Sequence, residues 1–233
     1  MKPLIENFSP NDCRKLFSLQ LPNTSIGKLD IKMKEYSLPR DMFVTELIDS
    51  NGNKLGSDIF GLSGEKDIFN YNIEIENPYK GKGLGELLRL TTIIEMIENK
   101  VEQIRLYSKN TAIYFHTKYK FEPNIKSFSH RNEALKNISN NKILKPFAQK
   151  ASEILEKIEK TDMFDYDKQC EHSRQANSLI KQYIQEVLQS KKQKELPFDI
   201  GFDMKLTKES ILKNLDFFNN LFKKHGIDYQ IKS

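Results

Sequence analysis

The sequence predicts an α/β (α+β) protein: a mixed central sheet with packed helices, followed by an α-rich C-terminal extension. Three observations predict it. Before residue 77, apolar residues alternate in short runs separated by turn residues, the period of strands. Between Ile68 and Lys100, one such run passes through three closely spaced glycines into an apolar stripe with helical spacing. Beyond Arg131 the texture changes to long amphipathic patterns. The expected division is residues 1–130 as the sheet-bearing domain and residues 131–233 as a mostly helical extension.

Taken in order, residues 8–19 read as a short first helix, with Ser9 as N-cap before Pro10. Leu29, Ile31 and Met33 alternate with charged residues and mark a strand. Phe43–Ile48 and Lys54–Leu62 flank Asp49-Ser50-Asn51-Gly52-Asn53, a strong hairpin signal. In the next strand, Ile68 to Glu76, the residues Tyr71, Ile73 and Ile75 alternate with Asn70, Asn72, Glu74 and Glu76. One face is thus apolar and the other polar, either a wet substrate groove or a solvated surface.

A helix follows from Leu84 to about Lys100, with Leu87, Leu88, Leu90, Ile93, Ile94 and Ile97 as its apolar stripe. Glu102, Ile104 and Leu106 alternate along the next strand, and a second helix ends near Tyr119. In the extension, Ile143–Ile158 and Ala176–Leu188 mark two helices. Ile211–Phe222 marks a third, capped at Thr207 and stopped at Gly226. Phe198–Leu206 reads as a strand and Ile227–Ile231 as a further candidate. The helical stripes are expected to bury against the uncovered face of the sheet or against a second copy of the chain.

Composition excludes several classes. Charged residues make up 30% and apolar residues 38%, the balance of an ordinary globular protein. The net charge is +5, and no Lys/Arg run interleaved with aromatics appears, so no nucleic-acid partner is expected. No apolar run is long enough to span a bilayer, and Met1-Lys2-Pro3 does not begin a signal peptide. Cys13 and Cys170 lie far apart and make no metal spacing, so reduced thiols, a cytoplasmic setting and no metal are expected.

The stretch Asn77-Pro78-Tyr79-Lys80-Gly81-Lys82-Gly83-Leu84-Gly85-Glu86 joins the fourth strand to its helix. The first turn of a helix has unpaired N–H groups and a partial positive charge. Glycines let the backbone close on a phosphate and aim those groups at it. The spacing is neither Gly-x4-Gly-Lys-Ser/Thr nor Gly-x-Gly-x-x-Gly, because the glycines fall at 81, 83 and 85.

Lys80-Gly81-Lys82-Gly83-Leu84-Gly85 resembles the pyrophosphate loop of the GNAT (GCN5-related N-acetyltransferase) superfamily, Arg/Gln-x-x-Gly-x-Gly/Ala. Lysine stands at the usual arginine position. Asn110-Thr111-Ala112-Ile113-Tyr114-Phe115-His116-Thr117-Lys118-Tyr119-Lys120-Phe121 is similar to the family's Asn-x-x-Ala-x-x-x-Tyr-x-x-x-Gly-Phe. The resemblance covers roughly residues 25–125. The family's two helices between its first and second strands have no counterpart here, unless the 8–19 segment is their remnant.

The resemblance implies acetyl-CoA as co-substrate and an amine, on a small molecule or a peptide, as acceptor. It implies cofactor contacts at Ile75, Glu76, Asn77, Lys80, Gly81, Lys82, Gly83, Leu84, Gly85, Glu86 and Asn110. Within it, a strand amide at Ile75, Glu76 or Asn77 faces the thioester oxygen. Amine attack needs a base, and Glu74, Glu102, Glu76 and Asp67 are candidates, with Glu74 and Glu102 first because neighbouring strands could aim both into one cleft. The thiolate-protonating tyrosine of the family falls on His116, with Tyr114 about 200° around the helix as competitor. Lys120 replaces the family's glycine. These departures leave a second reading open, a non-catalytic CoA-binding or interaction module. In either reading a homodimer or partner could dock through the C-terminal helices.

Overall fold

A computed structural model describes residues 13–21, 26–35, 42–63, 66–108, 112–124, 128–189 and 202–232. In chain order the elements are β1 (Cys13–Leu21), β2 (Gly27–Glu35), β3 (Met42–Asp49), β4 (Lys54–Ser63), β5 (Asp67–Ile75), α1 (Leu84–Glu98) and β6 (Gln103–Ser108). There follow α2 (Ala112–Lys118), β7 (Glu122–Pro123), α3 (Phe128–Ser139), α4 (Lys145–Lys160) and α5 (Tyr166–Gln189). The chain closes with β8 (Phe202–Thr207), α6 (Lys208–Lys213) and α7 (Leu215–Lys224). Contacts divide it into two compact units, Met1–Leu106 with Leu206–Ser233, and Tyr107–Lys205. This division runs elsewhere than the change of texture at Arg131, because the last stretch of chain returns to the unit of the glycine loop.

In the first unit β1 to β5 pair antiparallel in sequence order, and β6 adds to β5 in parallel. The sheet is therefore mixed, as the sequence predicts. Asp49 Oδ1 accepts from the Asn51 and Asn53 N–H groups at 2.9 and 2.8 Å, and Gly52 takes φ 87°, which closes the expected hairpin.

The expected first helix is a strand. Cys13–Leu21 pairs with β2 from Cys13↔Lys34 to Leu21↔Gly27, and residues 8–12 of the expected helix lie outside the described residues. The register shifts between Lys15 and Phe17. That bulge sets Leu16 and Phe17 side by side in sequence and breaks the alternation by which a strand is read.

The crossover helix α1 packs on β3, β4 and β5. Its sequence stripe predicts one buried face, but every residue from Glu86 to Met96 is buried. The chain after α7 supplies the second cover. His225 meets Glu86 in the first turn of α1, and Tyr229 Oη donates to Glu98 Oε1 in the last at 2.8 Å. Residues 225–229 thus run along α1 from one end to the other, held by bonds between Asn219 and the Ile231 backbone. They form no strand, contrary to the candidate at Ile227–Ile231. Thr207 Oγ1 accepts from Ser210 N–H at 3.1 Å and Gly226 takes φ 66°, so the predicted cap and stop hold, with a break between α6 and α7 at Asn214.

In the second unit α3, α4 and α5 pack against one another. Arg131 on α3 donates to Asn177 Oδ1 and Ser173 Oγ on α5 at 2.8 and 2.9 Å. Asn141 Nδ2 donates to Tyr183 Oη at 2.8 Å, while Asn141 Oδ1 accepts from Ile143 and Leu144 N–H ahead of α4. β7 pairs antiparallel with β8 through Glu122↔Lys205 and Pro123↔Met204. Residues 198–201 of the predicted strand lie outside the described residues.

Candidate active site

Among the described residues the parallel pairs of β5 with β6 run from Asp67↔Gln103 to Asn70↔Leu106. β5 itself continues to Ile75, still paired to β4 on its other edge. At the last of these pairs the β4–β5 register shifts, with Phe60↔Asn70 followed by Ile59↔Asn72, so Tyr71 is the extra residue of a bulge. A one-residue insertion flips the side-chain parity. Ile68 and Asn70 are buried on the side that carries α1, whereas Tyr71 is 55% exposed. The expected apolar face of Tyr71, Ile73 and Ile75 is therefore broken at Tyr71.

The bulge also sorts the backbone groups. Glu76 N–H donates to Leu55 O on β4 at 2.9 Å. Backbone groups alternate along a strand, so the N–H groups of Ile73 and Ile75 point to the edge away from β4. Of the three expected strand amides, the one at Glu76 is therefore engaged by the sheet, and the Ile75 N–H points to the edge away from β4. Gly56 lies opposite Ile75, and a Cβ there would sit 2.6 Å from Glu74 O and from Ile75 Cδ1. Only glycine lets β4 approach the end of β5 so closely.

Beyond β5 the chain makes a single 3-10 turn, Asn77–Tyr79, and enters the glycine loop. Gly81 and Gly83 take φ 78° and 80°, left-handed conformations that disfavour any side chain. Gly83 is the N-cap of α1. Lys80, Gly81, Lys82 and Gly83 are exposed, and nothing lies within 4 Å of a Cβ placed at Gly81. Among the described residues no backbone carbonyl accepts from Gly81 to Gly85 N–H. Lys82 Nζ lies over the Tyr79 ring at 5.4 Å. This is a run of N–H groups without a backbone acceptor among the described residues, at a helix start flanked by two cations, chemistry that can hold an anion.

A buried polar network, not foreseen from the sequence, fixes α1 beneath the loop. Asp58 on β4 is fully buried and accepts from Thr92 Oγ1 at 2.5 Å and from Asn70 Nδ2. Arg89, also fully buried, donates to Asn70 Oδ1 at 3.2 Å. Burial pushes the Asp58 carboxyl up, while Arg89 and the two hydrogen bonds oppose it. The only sequence signal was Arg89 lying between the apolar Leu88 and Leu90.

The remaining expected residues fall in separate places. Glu74 is exposed near the end of β5. Glu102 is not brought to it: its N–H bonds to Lys66 O at the start of β5, at 2.8 Å. Glu74 lies eight residues further along, roughly 25 Å away at about 3.3 Å per residue. The strands are parallel, so Glu102 sits at the end opposite the loop, and the expected convergence of the two carboxylates fails. Asp67 is engaged by Arg105 at 3.0 Å and by Gln103 at 2.8 Å. Asn110 lies outside the described residues.

His116 and Tyr114 belong to the second unit. His116 is 8% exposed, with the Phe115 and Phe121 rings at 5.3 and 5.7 Å. Tyr114 is half-buried, and burial pushes its hydroxyl pKa up. Lys120, at the position of the family's glycine, takes φ 65°. The backbone there is left-handed even though the residue is lysine. Among the described residues no group of three His, Cys, Asp or Glu is placed to hold a metal, and no helix is long and apolar enough to cross a membrane.

No protein-family description matches the chain, and no curated protein matches it in sequence. Solved structures do resemble part of it. A GNAT family acetyltransferase from Elizabethkingia anophelis with acetyl-CoA bound aligns at 15% identity and a TM-score of 0.34, over 36% of this chain and 56% of that one. The ribosomal-protein-S18-alanine N-acetyltransferase from Escherichia coli aligns at 18% identity and 0.34, over 37% and 56%. Tetrahymena GCN5 aligns at 15% identity and 0.36, over 39% and 57%. The chain thus spans little more than half the length of these proteins.

Proposed function

We propose that the chain is an acetyl-CoA-dependent N-acetyltransferase that moves an acetyl group to a primary amine by direct attack in a ternary complex. The observation that carries this reading is the junction of β5 and α1: a strand that leads through two left-handed glycines into the first turn of a helix. The residues fit the cofactor. Gly81 and Gly83 take left-handed conformations that disfavour side chains and leave backbone N–H groups for an anion, and Lys80 and Lys82 add charge suited to a pyrophosphate. When bound, acetyl-CoA supplies the activated acyl group.

The chain's own groups supply the rest. The edge of β5 away from β4, at Ile73 and Ile75, offers backbone hydrogen bonds to the extended pantetheine arm. The Ile75 N–H is the donor suited to the thioester oxygen, and one such donor is typically worth about 3–4 kcal/mol at a transition state. Glu74, exposed at the same end of the strand, takes the ammonium proton directly or through water. His116, or Tyr114 in its place, returns a proton to the leaving sulfur. The acceptor is an amine on a small molecule or a peptide, and the reduced cysteines suit a cytoplasmic setting.

A second reading has one observation in its favour. His116 is enclosed by Phe115 and Phe121, as a packing residue would be. On that reading the chain binds CoA without turnover. Release of free thiol from acetyl-CoA, measured with a panel of primary amines and N-terminal peptides, decides between them. Turnover with any acceptor supports the enzyme; tight CoA binding with none supports the module.

A further inference from the structure

Glu86 occupies the third helical position of α1, three residues after the N-cap Gly83. A glutamate there ordinarily turns back and caps the first N–H groups of its own helix. Those are the groups a pyrophosphate on this loop would need, and a second negative charge in the same turn would repel it. In this chain Glu86 is held by another segment. Its Oε1 lies 3.2 Å from His225 Nε2 and 3.5 Å from Lys224 Nζ, and its side chain is only 7% exposed. The His225 ring also lies beside the loop, with Cε1 3.8 Å from where a Cβ on Gly83 would stand. Lys224 and His225 close α7, nearly 140 residues after the loop, and both belong to the unit that contains it.

We propose that the end of α7 is a working part of the phosphate loop. Lys224 and His225 neutralise Glu86 and draw its carboxylate away from the mouth, which leaves the first turn of α1 free for the cofactor's phosphates. The C-terminal segment is then a positioning element for cofactor binding as well as a cover on α1. The inference rests on the reading that the loop takes the pyrophosphate of CoA.

The test is a coupling cycle read by calorimetry with coenzyme A. Lys224→Met with His225→Gln is expected to weaken CoA binding about tenfold, the scale of one charge at a helix terminus. Adding Glu86→Gln to that double variant is expected to restore affinity to within about threefold of the parent, because the competitor is gone. A merely structural contact predicts the opposite, with the triple variant no better than the double. Lys224→Met alone, at a side chain 60% exposed, keeps the fold and is expected to lose about threefold. Unchanged affinity in Lys224→Met and the double variant, or no recovery with Glu86→Gln, overturns this inference while the loop reading stands. Failure of the parent to bind CoA overturns both.

Discussion

Glu95 lies in the middle of α1 with no exposure to solvent, and among the described residues its side chain accepts a hydrogen bond from Asn99 Nδ2, at 3.2 Å on Oε2. Burial, with a smaller contribution from Glu98, pushes its pKa from 4.5 up to about 8. The consequence for stability has a definite sign. Between those two values the native state holds a proton that the unfolded chain has lost, so stability falls as pH rises and levels off above about 8. At about 1.4 kcal/mol per pH unit the full loss is on the order of 5 kcal/mol, and water entering the site would reduce it to ~2–4 kcal/mol. Glu95→Gln copies the protonated acid and removes the ionisation. Urea unfolding of parent and variant at pH 5 and pH 9 is the assay. The variant should match the parent at pH 5 and exceed it by ~2–4 kcal/mol at pH 9. A difference that does not change with pH, or a parent that gains on the variant as pH rises, refutes the reasoning.

Other perturbations test other parts of the structure. Lys120 holds φ 65°, so Lys120→Gly should stabilise the chain by about 1 kcal/mol in thermal unfolding; a loss would mean its side chain contributes more than its backbone strain costs. Asp58→Ala takes the buried acceptor from Asn70 Nδ2 and Thr92 Oγ1 and should cost about 2–4 kcal/mol, read from the denaturation midpoint. In the proposed reaction, His116→Phe should lower kcat by roughly 10²–10⁴-fold with little change in CoA affinity, and His116→Tyr should retain or recover activity. If Tyr114→Phe does the damage instead, Tyr114 is the acid; if neither variant slows the reaction, water protonates the thiolate.

Much of this arrangement could be read from local chemistry. The hairpin at Asp49–Asn53, the glycine loop, the Thr207 cap and the Gly226 stop each depend on a few adjacent residues with a specific backbone need, and sequence records such needs directly. Features set by tertiary pairing were hidden. The bulges at Leu16 and Tyr71 each insert one residue and invert the alternation on which strand reading relies, which turned β1 into an expected helix and misplaced the apolar face of β5. The network of Asp58, Asn70, Arg89 and Thr92 joins three elements, and nothing in any one of them calls for the others. Glu74 and Glu102 seemed convergent because strand neighbours were read without register; the parallel ladder from Asp67↔Gln103 sets them at opposite ends. The cover that residues 225–229 place on α1 depends on a contact between segments far apart in the chain, which no local pattern announces.

The central claim is that the loop from Lys80 to Gly85 binds the pyrophosphate of CoA, and calorimetry with coenzyme A on the parent and on Gly83→Glu tests it most directly. Gly83 caps α1 with φ 80°, so glutamate there sets a carboxylate at the mouth of the helix, while circular dichroism and the unfolding midpoint report whether the fold survives. The account predicts saturable binding by the parent and loss of at least about a hundredfold in affinity in a folded Gly83→Glu variant, roughly 3 kcal/mol of lost interaction. Equal CoA affinity in the folded variant, or no binding by the parent, would contradict it.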